Sequence, residues 1–144
     1  MKRLHILYTL LFILLLPVTS NGQPAGKEKL RIISYNIWNG FEHNAHRRAN
    51  FIDWIKGQQP DILAMTELVG FTEKNLGQLA SEYGHKYYAI VTEEGYPVGI
   101  TSNEPITVVK KQVAGFWHGM LPVKKHGLDI ILTQLRPHDR KLRI

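Results

Sequence analysis

Asn36 and Glu67 are the two side chains whose types and setting could do chemistry. Each falls at the C-terminal end of a candidate strand, Leu30–Trp38 and Ile62–Leu68. A carboxylate beside an amide oxygen is a hard, oxygen-only pair. It suits Mg²⁺, which takes one or two carboxylates and completes its octahedron with water and substrate phosphate. Spacing alone leaves a plainer alternative open, in which Asn36 caps a turn and Glu67 is a solvated strand end.

The elements around them decide whether the two can meet. Leu30–Trp38 alternates, with Asn36 and Trp38 on the face of Ile32, and Ile33, Tyr35 and Ile37 on the other. Asn39-Gly40 breaks it. Ala45, Ala49, Ile52 and Ile55 form a helical stripe over Ala45–Lys56, with Asn44 as N-cap and Gly57 as a stop. Pro60-Asp61 opens Ile62–Leu68, apolar on both faces as a central strand should be. A helical crossover between two strands makes them parallel. Asn36 and Glu67 then emerge at the same sheet edge, where α/β proteins build sites.

Thr72–Tyr83 reads as a second helix, with Leu76, Leu79, Ala80 and Tyr83 on one face. Thr72 caps it, Phe71 packs back on Leu76, and Gly84 ends it. Short strands follow at Tyr87–Val91, Gly99–Ser102, Ile106–Gln112, Met120–Lys124 and Leu128–Leu135. The order is βαβα and then strands, an α/β chain with a strand-rich second part. Phe51, Trp38 and Trp54 are expected in its core.

Met1–Gln23 has the build of a secretory signal peptide. Lys2, Arg3 and His5 precede the apolar run Ile6–Val18, which is shorter than a membrane span of about 20 residues. The expected division is a signal peptide over 1–22, a flexible leader over 23–29 and one domain over 30–144. Such a chain would be exported, to the periplasm or outside a bacterial cell. The net charge of +6 includes Lys2 and Arg3, so the remaining bias is mild. It favours phosphate-bearing partners without choosing DNA. The 144 residues contain no cysteine, which excludes disulfide scaffolds, cysteine zinc sites and thiol catalysis.

Four segments carry a resemblance. Leu30-Arg31-Ile32-Ile33-Ser34-Tyr35-Asn36-Ile37-Trp38 resembles the opening strand of the endonuclease/exonuclease/phosphatase family. Pro60-Asp61-Ile62-Leu63-Ala64-Met65-Thr66-Glu67-Leu68 resembles its second signature, in which the Glu binds metal. Gly99-Ile100-Thr101-Ser102-Asn103-Glu104-Pro105-Ile106 resembles the next segment. Ile130-Ile131-Leu132-Thr133-Gln134-Leu135-Arg136-Pro137-His138 resembles the strand that normally reads Thr-His-Leu-x-Pro. All four occur in the family's order. The resemblance implies part of a four-layer αββα sandwich with mixed sheets, and Mg²⁺-dependent (or Mn²⁺-dependent) hydrolysis of a phosphodiester or phosphomonoester. Glu67 would hold the metal and Asn36 would orient the phosphate or touch the metal shell. Nucleic acid, phospholipid headgroups and inositol phosphates are all substrates within the family.

Two departures bear on activity. Family members carry a second half with an Asp-x-Asn motif and a terminal Asp-His pair, and neither occurs before Ile144. Gln134 stands at the family His position, and an amide cannot exchange a proton near neutral pH. His138 would substitute only if its loop folded back. His118, after Phe116 and Trp117, either faces substrate or is a loop residue held by aromatic packing. His43, His46, Arg47 and Arg48 read as a solvated basic helix start. A C-terminally truncated, poorly soluble chain with little activity of its own is therefore expected. The alternative function is an inactive product or a phosphate- or partner-binding module.

Overall fold

The computed structural model describes residues 29–135 except His126. The signal-peptide and leader expectations for residues 1–28, and the loop bearing His138, lie outside them. The chain runs β1 (Ile32–Asn36), a short turn (Gly40–His43), α1 (Ala45–Gln58), β2 (Ile62–Thr66), α2 (Glu73–Glu82), β3 (Tyr87–Ile90), β4 (Gly99–Ser102), β5 (Thr107–Val108), β6 (Met120–Lys125) and β7 (Leu128–Thr133). The expected βαβα order with strands after it is what forms.

Two sheets result. The first has the order β1-β2-β4-β3 and the second β5-β6-β7. β1 and β2 are parallel neighbours, with Asn36 opposite Thr66. β2 also pairs with β4, antiparallel, which accounts for its apolar residues on both faces. Leu63 and Met65 point to the helices and pack with Phe51, Ile52, Ile55, Leu76 and Leu79. Ile62, Ala64 and Ile100 point the other way, onto Leu121, Val123 and Leu132 of the second sheet. Helices, first sheet and second sheet are three layers of an αββα sandwich. Among the described residues no helix covers the outer face of the second sheet, where Val109 and Ile131 are exposed.

Local chemistry sets the boundaries. Asn44 caps α1 by accepting from the Arg47 N–H. Gly57 lies inside the helix, which ends two residues beyond Lys56, with Gln59 left-handed and its N–H on the Ile55 carbonyl. The following Pro60 forbids continuation. Thr72 and Asn75 form a reciprocal capping box at α2, and Phe71 joins the Leu76 cluster. The expected strand over 106–112 shrinks to Thr107–Val108 and an isolated pairing of Gln112 with Met120.

Candidate active site

The ends of β1 and β2 bring Asn36 and Glu67 together. Asn36 Nδ2 donates to Glu67 Oε1 at 2.9 Å. The other half of the amide is also used, since Asn36 Oδ1 accepts from the Trp38 N–H at 2.8 Å. Asn36 therefore caps a turn and orients the carboxylate at once. Its N–H side faces the Glu67 carboxylate, and its oxygen accepts from the turn. Gln134, just past β7, donates Nε2 to Glu67 Oε1 at 3.2 Å. The second carboxylate oxygen, Oε2, accepts from the Asn39 N–H at 3.2 Å.

The Asn39 donor comes from an unusual backbone segment. Trp38, Asn39, Gly40, Phe41, Glu42 and His43 all have positive φ, between 49° and 64°. L-residues enter this region singly as a rule, at a cost of about 1–2 kcal/mol each. The turn is held by compensating contacts. Phe41 is buried and packs on Phe51 at 5.1 Å and Phe71 at 6.3 Å. The Phe41 N–H reaches the Ile37 carbonyl, and the Gly40 N–H donates to the Glu67 carbonyl at 2.8 Å. Gly40 is required there: a Cβ would overlap the Val69 carbonyl oxygen. Glu67 is itself left-handed, with φ 60°. Strain concentrated on one small region is the usual mark of a site that the surrounding structure over-determines.

Burial pushes the Glu67 carboxyl pKa up. The hydrogen bonds from Asn36, the Asn39 N–H and Gln134, with the field of His118, outweigh it and hold the pKa below its usual value. Glu67 is thus an ionised, half-buried carboxylate with fixed orientation.

His118 and Gln134 lie at the same end of the second sheet. Met120 pairs with Thr133, and Thr133 Oγ1 donates to the Gly119 carbonyl. His118 is buried, 7% exposed, and stacks edge-on against Tyr96 and Trp117 at 5.7 and 6.2 Å. Both its ring nitrogens lack a hydrogen-bond partner, and so does the buried Gln134 Oε1. Buried polar atoms without partners are rare, and clustered ones point to a missing polar ligand. The aromatic packing expected of His118 is present, and its two ring nitrogens stay unsatisfied.

A divalent cation fits part of this set. Glu67 offers a hard anionic oxygen and Gln134 Oε1 a hard neutral one beside it. Among the described residues no group of three His, Cys, Asp or Glu gathers to hold a metal, so water or substrate would fill most of the shell. Sequence reasoning missed the backbone donors, because Asn39-Gly40 signals only a break. It also misplaced two tryptophans. Trp38 is 58% exposed and Trp54 42% exposed, outside the core where only Phe51 lies.

Residues 33–134 match the sequence pattern of the Endonuclease/Exonuclease/phosphatase family. No curated protein matches the sequence. Solved structures do. Humanized D. rerio TDP2 aligns with a TM-score of 0.52 at 18% identity, over 74% of this chain and 52% of that one. D. rerio TDP2 complexed with a single-strand DNA product gives 0.53 at 16%, over 78% and 49%. Truncated Caenorhabditis elegans TDP2 gives 0.50 at 19%, over 71% and 43%. These likenesses concern the fold, and the chain spans about half the length of the structures it matches or less. With its two-sheet architecture and its Asn36–Glu67 pair on parallel strand ends, the chain belongs to the Endonuclease/Exonuclease/phosphatase family.

Proposed function

We propose that the chain carries the metal-binding side of a divalent-metal-dependent phosphoesterase site. The observation that carries this reading is the ionised Glu67 carboxylate, held by three donors beside buried polar atoms that lack partners. Glu67 is the metal ligand, and Mg²⁺ is favoured over softer ions by the all-oxygen donor set. Asn36 and the Asn39 N–H fix the carboxylate, and the unpartnered Gln134 Oε1 would offer a second hard oxygen toward the cation. His118, whose ring nitrogens have no partner, would contact a phosphoryl oxygen. When bound, the cation supplies charge stabilisation at a phosphoryl oxygen. Substrates are phosphodiesters or phosphomonoesters, with nucleic acid, a phospholipid headgroup or an inositol phosphate as sources. The basic and apolar composition of Met1–Gln23 supports export.

Hydrolysis of bis(4-nitrophenyl) phosphate tests the reading. It predicts slow turnover in Mn²⁺ or Mg²⁺ that Glu67→Ala abolishes. Turnover that persists in EDTA, or in that variant, contradicts it. Gln134 favours a second reading, a phosphate-binding module without turnover, because no proton can be exchanged at that position. Metal-dependent phosphate binding with no hydrolysis would support that reading.

A further inference from the structure

We propose that the Tyr96 side chain is a gate over His118, closed in this structure, which must swing outward before a ligand reaches the imidazole. The proposal rests on the reading of His118 as a phosphoryl contact and adds how that contact is controlled.

Burial and role conflict at His118. The residue is 7% exposed, and neither ring nitrogen has a hydrogen-bond partner or touches solvent. A buried polar atom left unpaired costs free energy that an entering donor or acceptor would recover. A phosphoryl oxygen cannot contact a nitrogen that water does not reach. Either the histidine or its cover therefore moves.

The histidine is the fixed part. Its neighbour Gly119 lies directly against β3's continuation, where a Cβ would stand 2.8 Å from Val91 Cγ2. The Gly119 carbonyl accepts from Thr133 Oγ1 at 3.1 Å. The Met120 N–H donates to the Gln112 carbonyl at 2.7 Å, and the Gln112 N–H returns the bond at 3.0 Å. Trp117 precedes His118 in the chain and shares that pinned backbone.

Tyr96 is the part of the cover that comes from a separate segment. It lies in residues 92–97, which connect β3 to β4. The base of this connection is closed, with the Val91 N–H on the Val98 carbonyl at 3.0 Å and the Leu68 N–H on the Pro97 carbonyl at 3.1 Å. The Tyr96 side chain is freer. It is 47% exposed, and its ring meets His118 edge-on at 5.7 Å. Its hydroxyl makes no hydrogen bond among the described residues. One aromatic contact thus holds the gate shut, an interaction weak enough to open. Rotation of an exposed side chain is fast and needs no change in the fold.

The test is timed carbethoxylation of the full chain by diethyl pyrocarbonate, followed at each histidine by peptide mass spectrometry. The reagent modifies imidazole nitrogens that it can reach. In the unaltered chain the exposed His46 should label fast and His118 slowly. Tyr96→Ala should raise the His118 rate roughly 2- to 12-fold, the equivalent of the one aromatic pair it removes. Tyr96→Phe keeps the ring and should keep the slow rate. His85 is buried and bonded at both nitrogens, so it should stay slow throughout and reports that each variant is folded. Where Tyr96→Ala also speeds His85, Tyr96→Ser, whose small polar side chain suits an exposed loop, replaces it. His118 labelling as fast as His46 in the unaltered chain overturns the proposal. So does an unchanged His118 rate in a folded variant that lacks the ring. Inorganic phosphate with Mg²⁺, added to Tyr96→Ala, separates the gate from the reading beneath it. Protection of His118 supports both, whereas an accelerated rate that phosphate does not slow contradicts the phosphoryl contact and still supports the gate.

Discussion

Replacing Gly40 by alanine should damage both stability and the site, and Gly70 supplies the control. Both glycines have positive φ, 62° and 75°. An alanine at either position therefore carries the left-handed cost of about 1–2 kcal/mol. They differ in what a methyl group meets. At Gly70 there is nothing within 4 Å. At Gly40 the new Cβ overlaps the Val69 carbonyl oxygen and stands 3.2 Å from its carbon. Both clashing atoms are backbone, so no side chain can swing aside. Forced overlap of that kind adds about 1–3 kcal/mol. The expected totals are about 2–5 kcal/mol for Gly40→Ala and about 1–2 kcal/mol for Gly70→Ala. With about 4 °C per kcal/mol for a domain of this size, Gly40→Ala should melt roughly 8–20 °C lower. Relief of the clash pushes the turn from Val69 and so pulls on the Gly40–Glu67 backbone hydrogen bond. Metal binding should weaken in Gly40→Ala and hold in Gly70→Ala. Circular dichroism melts of the three proteins read the first effect, and manganese titration reads the second. Equal melting points for the two variants would refute the role given to the Val69 contact.

Other expectations follow from the buried polar groups. His85 is buried, with Nδ1 on Thr101 Oγ1 and Nε2 on the Pro60 carbonyl, both at 2.8 Å. Burial lowers its pKa from 6.5, so its contribution is fully present above pH 6.5 and is lost as pH falls toward the lower folded value. Urea midpoints should therefore drop between pH 7.5 and 5.5, and His85→Gln should flatten that part of the profile. Glu67 follows the same sign at lower pH: its contribution is present above 4.5 and lost on acidification through a lower folded pKa. Asn36→Ala removes a donor, so the carboxyl pKa should rise, as carbon-detected titration of the Glu67 side chain would record. Lys125 is buried with Nζ on Ser102 Oγ at 2.9 Å and on Asn103 and Glu104. Lys125→Ala removes these hydrogen bonds and the packing of the buried stem and should cost about 3 kcal/mol in urea unfolding.

The placement of Asn36 and Glu67 was legible because it depends on local patterns. Two apolar strands and an amphipathic helix between them admit one arrangement, parallel neighbours with both C-terminal ends at one edge. β2 announced its central place by being apolar on both faces. The left-handed turn was not legible, because nothing in Trp38-Asn39-Gly40-Phe41-Glu42-His43 but Asn39-Gly40 favours positive φ. It is imposed by tertiary contacts of Phe41, Gly40 and Glu67. Trp38 and Trp54 were misjudged as core for a related reason: hydrophobicity predicts burial only when the fold supplies a partner surface. The setting of His118 is not legible in the sequence, because its neighbour Tyr96 sits 22 residues away in a turn region with no periodicity. The contact of Gln134 with Glu67 is not legible in the sequence, because it requires the second sheet to close over the first.

The central claim is that Glu67 is a metal ligand held by its neighbours. Paramagnetic broadening by Mn²⁺ tests it directly, because broadening falls steeply with distance from the ion. Substoichiometric Mn²⁺ should broaden the backbone amide signals of Asn39 and Gly40 and the side-chain amides of Asn36 and Gln134. Those of Gly84 and Gly127, remote from the site, should stay sharp. In Glu67→Gln the broadening should vanish while the spectrum keeps its folded dispersion. Unchanged broadening in that variant, or broadening centred elsewhere, would contradict the account.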